Sequence, residues 1–375
     1  MAKSYSLRKL AHIEHMAINN FLNKRIMNKC LVTKLNGTVD NDSLMHIGEF
    51  RIKIGKVSNP TKDSQLIKIG VTSDTELRIV GDGYFTDSTL TQNKGKKITI
   101  SRNDEVSNEV YVSNGDIELA VMNKYNLFEI SMPSSKYNMD RVYDLDALKY
   151  SAQLRSLDAN NSKVFGNLNS LSNCTRFSSI VLTKTLVTGN ISVFADKTMG
   201  VVNLATTAVV GDISNLKNSS NLSLLNVSNT AISGDISILG NKNNLRYLSI
   251  ANSGLYGDIS AFRNNSNIKE LGLIKLNCTG DLATLPDNIL FIDNTGGSGK
   301  FSWGASTRQN ILAMFNIKTD DVDKILNAMA SMKAKFIGDD SWYHTISLIG
   351  TRTSASDAAV ATLQSKGYTV SVTPA

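Results

Sequence analysis

Apolar and polar residues change their spacing three times along this chain. Over residues 6–28, Leu7, Leu10, Ile13, Ala17 and Phe21 recur at steps of three and four, with Ile18, Leu22 and Ile26 in an adjoining stripe. That period predicts an amphipathic helix within residues 1–30. A stripe so broad needs a surface to bury it: its own domain, a second copy of the chain, or another protein. From about Met45 to Met132 the period falls to two. The expected strands are Phe50–Ile54, Leu66–Val71, Leu77–Ile79, Lys97–Ile100, Val110–Val112, Ile117–Val121 and Leu127–Ile130. Asn114-Gly115 sits between two of them as a hairpin signal. Short strands at this spacing predict a small antiparallel β-sandwich over residues 31–138.

Beyond residue 139 a longer period takes over. Gly166, Gly189, Gly211, Gly234, Gly257 and Gly280 recur at nearly constant steps, and Gly299 follows at a shorter one. Two residues after them stand Leu168, Ile191, Ile213, Ile236, Ile259, Leu282 and Phe301. Nine before stand Leu157, Ile180, Val202, Leu225, Leu248, Leu271 and Leu290, and seven before Ala159, Leu182, Leu204, Val227, Ile250, Leu273 and Ile292. Leu245-Arg-Tyr-Leu248-Ser-Ile250 shows the spacing of the apolar positions directly. Tyr143 occupies the glycine position of one earlier turn, so the array runs from 139 to 303.

These columns resemble the leucine-rich repeat, whose period is roughly 20–29 residues with L-x-x-L-x-L in each unit. The L-x-G-x-I variety is similar to Ile232-Ser-Gly234-Asp-Ile236 and Leu255-Tyr-Gly257-Asp-Ile259. The resemblance implies a solenoid with one parallel strand per turn, leucines inward, each turn covering its neighbour. Where the family has an inward Asn, this chain has Thr185, Thr207, Thr230, Ser253, Leu276 and Thr295. Where the L-x-G-x-I variety has Pro, it has Ser192, Ser214, Ser237 and Ser260. A different hydrogen-bond ladder is therefore expected. Residues 304–375 read as a separate α/β cap. Val322, Ile325, Leu326, Met329 and Met332 mark a helix behind Thr319, Thr345–Ile349 a strand, Ser354-x-x-Asp357 a capping box, and Tyr368–Val372 a last strand. The fold class is α+β and β-rich: helix, sandwich, solenoid, cap.

Charge changes little in this picture. The chain has 375 residues with 40 Lys+Arg against 33 Asp+Glu, net +7. Residues 1–30 hold six cations against Glu14, or +5, which leaves +2 for the remainder. The basic balance is one short handle, and nucleic acid is not an expected partner. Three cysteines, Cys30, Cys174 and Cys278, lie too far apart for a disulfide framework and read as buried thiols. No apolar run approaches the ~18 residues of a membrane helix, so no membrane insertion is expected.

Candidate chemistry is sparse. Gly296-Gly-Ser-Gly299-Lys300 lacks the first Gly and last Ser/Thr of a phosphate loop, with Asn294 and Phe301 in those places. His12, Glu14 and His15 have no evident third metal ligand. Asp339 to His344 offers hydrolase residue types without a nucleophile elbow. No catalytic, cofactor or metal residue is assigned. The outward face of the solenoid strands is the expected binding surface, with Tyr247, Glu270, Lys275 and Phe291 as anchors. With its Asn/Lys-rich composition, small β-module and Leu363-Gln-Ser-Lys-Gly367-Tyr-Thr-Val370 ending, the chain overall resembles leucine-rich-repeat proteins of gut-bacterial surfaces and of the tailed phages that infect those bacteria. That resemblance, with no signal-peptide pattern at the start, implies a fibre-like virion protein. Its N-terminal helix would attach it to the particle or join copies into a homo-oligomer. Its solenoid would contact neighbouring subunits or a host surface protein or glycan. A bacterial surface adhesin and a cytoplasmic interaction scaffold are the alternatives.

Overall fold

The structure, a computed structural model, describes residues 49–56, 65–103, 106–115, 117–132, 141–335 and 341–375. The expected N-terminal helix, with Leu7, Leu10, Ile13, Ala17 and Phe21, lies outside the described residues, as do Cys30 and the His12–His15 cluster.

Each solenoid turn carries two strands on opposite sides of one core. The inner strands are Ser156–Asp158, Ser179–Val181, Val201–Asn203, Leu224–Asn226, Tyr247–Ser249, Glu270–Gly272 and Phe291–Asp293. The outer ones are Phe165–Asn167, Leu186–Asn190, Ala208–Asp212, Ala231–Asp235, Gly254–Asp258, Asn277–Asp281 and Phe301–Ser302. Both sets stack in parallel. In each three-residue inner strand the middle side chain points inward, because successive residues alternate faces. Leu157, Ile180, Val202, Leu225, Leu271 and Ile292 are accordingly buried. The outer sheet is a second parallel layer that a one-strand-per-turn reading does not contain.

Three polar columns hold the corners. The first replaces the expected Asn: Thr185, Thr207, Thr230 and Ser253 hydroxyls donate to the carbonyls of Leu182, Leu204, Val227 and Ile250 at 2.6–2.7 Å. The second follows each repeat glycine. Asn190, Asp212, Asp235 and Asp258 accept from the backbone N–H of Ser192, Ser214, Ser237 and Ser260 at 2.7–2.8 Å. Serine stands where the family variety has proline, and it keeps the N–H that proline would remove. The third column lies on the return: Ser151, Cys174, Lys197, Ser219, Lys242 and Asn265, all buried. Lys242 Nζ donates to the Lys217 carbonyl at 2.7 Å and Lys197 Nζ to that of Val193 at 2.9 Å. Burial lowers the pKa of both ammonium groups. Buried lysines are tolerated here because carbonyls left over at the turns accept hydrogen bonds from them. Thr230→Val removes one of the hydroxyl bonds without changing shape, and is expected to cost about 1 kcal/mol in urea unfolding. An unchanged midpoint would show that the hydroxyl column does not stabilise the turns.

The seven expected β-module strands all form, with two more. They are β1 (Phe50–Ile54), β2 (Leu66–Val71), β3 (Thr75–Gly81), β4 (Phe85–Thr86), β5 (Lys97–Ile100), β6 (Asn108–Val112), β7 (Ile117–Val121), β8 (Leu127–Ser131) and β9 (Arg141–Val142). One sheet has the order β5-β3-β7-β1-β9. The other, β8-β2-β6-β4, continues into the solenoid, because β8 pairs in parallel with Ser156–Asp158. The layers are therefore not a free-standing sandwich. Asn114-Gly115 closes no hairpin either: β6 pairs with β2 and β4, β7 with β1 and β3. The segment carries the chain between sheets, which lets Val112 and Leu119 enter one core from different layers.

At the other end the inner layer continues through Ala313–Lys318, Thr345–Ile349 and Thr369–Thr373, all parallel. Helices α1 (Val322–Ala330) and α2 (Asp357–Ser365) pack together and bury Val322, Ile325, Leu326 and Met329 with Ala359 and Leu363. The expected capping box is shifted toward the N-terminus. Thr353, not Ser354, accepts from Ala355 N–H, and Asp323 of α1 accepts from Thr353 and Ser356.

Candidate functional site

Stacked turns with inward leucines between parallel strands, built on a near-constant repeat, decide the architecture. The fold is a leucine-rich-repeat solenoid. No family model matches the chain, and no curated protein matches it. Among solved structures it is similar to the plant peptide hormone receptor RGFR1 in complex with RGF2, at TM-score 0.40 and 14% identity, covering 62% of this chain and 41% of the receptor. It is similar to the internalin InlF of Listeria monocytogenes, at TM-score 0.38 and 14% identity, covering 68% and 85%. A plant ice-binding protein gives TM-score 0.38 and 17% identity, covering 55% and 62%. The chain thus spans about two fifths of the receptor and less than two thirds of the ice-binding protein.

The inner strand face of the solenoid carries three of the four expected anchors. Tyr247 is 69% exposed, the largest exposure among the described large apolar residues. Glu270 accepts a hydrogen bond from the Tyr343 hydroxyl, and Phe291 meets the Tyr343 ring edge-on at 5.8 Å. Tyr343 therefore seats the C-terminal unit against the face beside those two anchors. Lys275 lies elsewhere. Its φ of +58° puts it in a corner column with Asn161, Lys184, Thr206, Asn229 and Asn252, all left-handed. Asparagine at three of these six positions was the available sequence signal for that conformation.

The last turn corrects two column assignments. Inner-strand register pairs Leu271 with Ile292 and Glu270 with Phe291, so Ile292 rather than Leu290 continues the inward Leu248–Leu271 column, and Phe291 follows Glu270 on the outward face. The step from Glu270 to Phe291 is shorter than the one from Tyr247 to Glu270. Gly299 is likewise not the seventh repeat glycine. Cys278 pairs with Gly257 and Phe301 with Gly280. The glycine column lies two positions past each partner, at Gly280 and then at Trp303. Gly166, Gly189, Gly211, Gly234, Gly257 and Gly280 share φ values of +106° to +130°. Gly299 is needed instead for closeness: a Cβ there would fall 1.7 Å from the Cys278 carbonyl oxygen.

The inner ladder is interrupted once. Every neighbouring pair of inner strands from Ser156 to Ser249 is hydrogen-bonded in register, and so are Glu270–Gly272 and Phe291–Asp293. Between Tyr247–Ser249 and Glu270–Gly272 the structure has no ladder pairing, and the inner layer divides there into two sheets. Leu248 is only partly buried, unlike its buried column mates Leu225 and Leu271. A depression of about 690 Å³ opens over this break, lined by Leu225, Tyr247, Leu248, Arg246, Lys269 and Glu270.

The glycine-rich stretch has a structural role. Lys300 of the glycine-rich stretch pairs with Asp320 at 3.0 Å. Among the described residues no group of three or more His, Cys, Asp or Glu could hold a metal ion, and no helix is long and apolar enough to cross a membrane. Cys174 and Cys278 are buried, and burial pushes each thiol up to about 12. The thiolate is the reactive form. Iodoacetamide in mildly alkaline buffer is therefore expected to leave both unmodified in the folded protein and to label both in urea, read by peptide mapping. Rapid native labelling of either would contradict this burial.

Proposed function

We propose that the protein is a non-enzymatic binding protein whose inner strand face receives a protein partner. The observation that carries this reading is the depression over the interrupted ladder, with Tyr247 exposed at its rim. Exposed aromatics beside an apolar floor supply much of the affinity of protein interfaces. The wider proposal places the chain on a virion or a bacterial surface. Residues 1–30 would serve for attachment or self-association, with the β-module (31–138), solenoid (139–303) and cap (304–375) projecting the face. The expected anchors Tyr247, Glu270, Lys275 and Phe291 belong to this proposal, with Lys275 at its margin.

A second reading rests on the outer sheet. Phe165, Leu186, Val210 and Tyr256 are exposed there, between 42% and 65%. Such a row marks an interaction surface when contiguous. Amine crosslinking with mass spectrometry, on purified virions and on host membranes, separates the readings. Links to another protein from Lys269 and Lys275 are expected. Links confined to Lys163 and Lys300, on the outer side, would sink the strand-face reading. Recovery of the protein from membranes alone, never from particles, would reject the virion placement.

A further inference from the structure

We infer that the break in the inner sheet is a docking cleft for an extended acidic peptide segment of the partner. The inference rests on the strand-face reading above and names the partner's chemistry. Three independent features converge on it. First, the ladder stops between Tyr247–Ser249 and Glu270–Gly272 while the two turns stay joined by the Asn252 N–H to the Ile274 carbonyl at 2.8 Å, and Leu248 is left only partly buried at this looser contact. Second, the depression has an apolar floor in Leu225 and the half-buried Leu248, and a Cβ at Gly272 would meet nothing within 4 Å. The floor can take an alternate side chain of an extended segment. Third, Arg246 and Lys269 line the same depression from adjacent turns, and their side chains have no hydrogen-bond or ion-pair partner among the described residues. Glu270, the carboxylate in that lining, is engaged by Tyr343.

Two adjacent cations beside an apolar slot and one tyrosine fit a segment alternating acidic and apolar residues. In such a segment carboxylates face Arg246 and Lys269 while the intervening side chains enter the slot. Single-stranded nucleic acid fits less well. It needs a track of cations and several stacking rings, whereas the neighbouring positions in the Tyr247 column are Leu224, Val201 and Ser179.

The test uses the full-length chain and fluorescein-labelled peptides. The sequence Glu-Leu-Glu-Leu-Glu-Leu-Glu is expected to bind in anisotropy titrations, and its counterpart with Lys for Glu is not. Arg246→Glu combined with Lys269→Glu should weaken binding about tenfold, the scale of two exposed ion pairs. Tyr247→Ala should weaken it by a similar factor. Thermal melts show whether these surface variants remain folded. If the double reversal folds poorly, Arg246→Gln with Lys269→Gln carries the same expectation in direction. Equal binding of the two peptides, unchanged binding by folded charge variants, or tighter binding of a short oligo-dT would overturn the inference. A partner crosslinked through Lys275 but indifferent to the double reversal overturns the acidic-peptide inference alone. Crosslinks confined to the outer side overturn the strand-face reading beneath it.

Discussion

Gly257→Ala is expected to destabilise the protein by about 3 kcal/mol, from backbone strain and a lost cap together. The φ of Gly257 is +130°, a conformation that side chains with a Cβ rarely adopt. An added Cβ would also lie 2.6 Å from Asp235 Oδ1 and 3.1 Å from Ile236 Cγ1 of the preceding turn. Asp235 cannot simply swing aside, because Oδ1 accepts the Ser237 N–H at 2.7 Å. The same stacking recurs at Gly234 over Asp212 and at Gly280 over Asp258, so each glycine is shaped by its neighbour's cap. Two controls sharpen the expectation. Gly272→Ala, with open space around its Cβ, should stay within about 0.5 kcal/mol. Gly257→Ala combined with Asp235→Ala should cost less than the sum of the single changes, since removing the carboxylate removes the collision. Urea unfolding followed by circular dichroism measures all four. A cost below about 1 kcal/mol for Gly257→Ala, or strict additivity of the pair, would refute the coupled-column account.

A chain beginning at residue 141 is expected to aggregate rather than fold as a monomer. The β-module closes the first end of the solenoid: β8 supplies the strand beside Ser156–Asp158, Arg155 N–H donates to the Phe128 carbonyl at 2.7 Å, and Met132 N–H to that of Asp158 at 2.9 Å. Phe50 packs edge-on against Tyr143 at 5.1 Å, and the Arg155 guanidinium lies 5.5 Å from the Phe128 ring centre. Removing the module bares a strand edge and takes a neighbour from a turn whose Leu154 and Leu157 are buried. Solenoid turns depend on nearest neighbours, and an uncapped end is sticky. Light scattering coupled to size exclusion, with a thermal melt, decides the matter. A monomeric, cooperatively melting 141–375 fragment would show that the module is an appendage rather than a cap.

Much of the fold was legible because its causes are local and recur. Inward residues such as Ile180, Val202 and Leu225 stand at near-constant intervals, and a side chain that must be buried every turn leaves a column in the sequence. The β-module strands were readable for the same reason, since alternation follows the two faces of a strand. The Thr185–Ser253 column announced itself as a departure, and hydroxyls bonded to a carbonyl just upstream are what the departure meant. Register in the last turn was not readable. The step from Glu270 to Phe291 shortens less than the step from Gly280 to Gly299, so the two nearest markers disagreed.

The candidate site was legible only in part. Tyr247 could be placed on the outward face from its position beside Leu248. That Glu270 would be held by the distant Tyr343 could not. Nor could the missing ladder between their neighbouring strands, since a backbone pairing leaves no mark on the side chains that flank it.

By itself the sequence determined the period, the inward columns and thus a solenoid, because burial of side chains selects residue types one by one. Only the tertiary structure decided how the ends are closed, where Asn114-Gly115 leads, and where the inner sheet parts. Those outcomes depend on which strand edges meet, and edges are made of backbone groups that nearly every residue possesses.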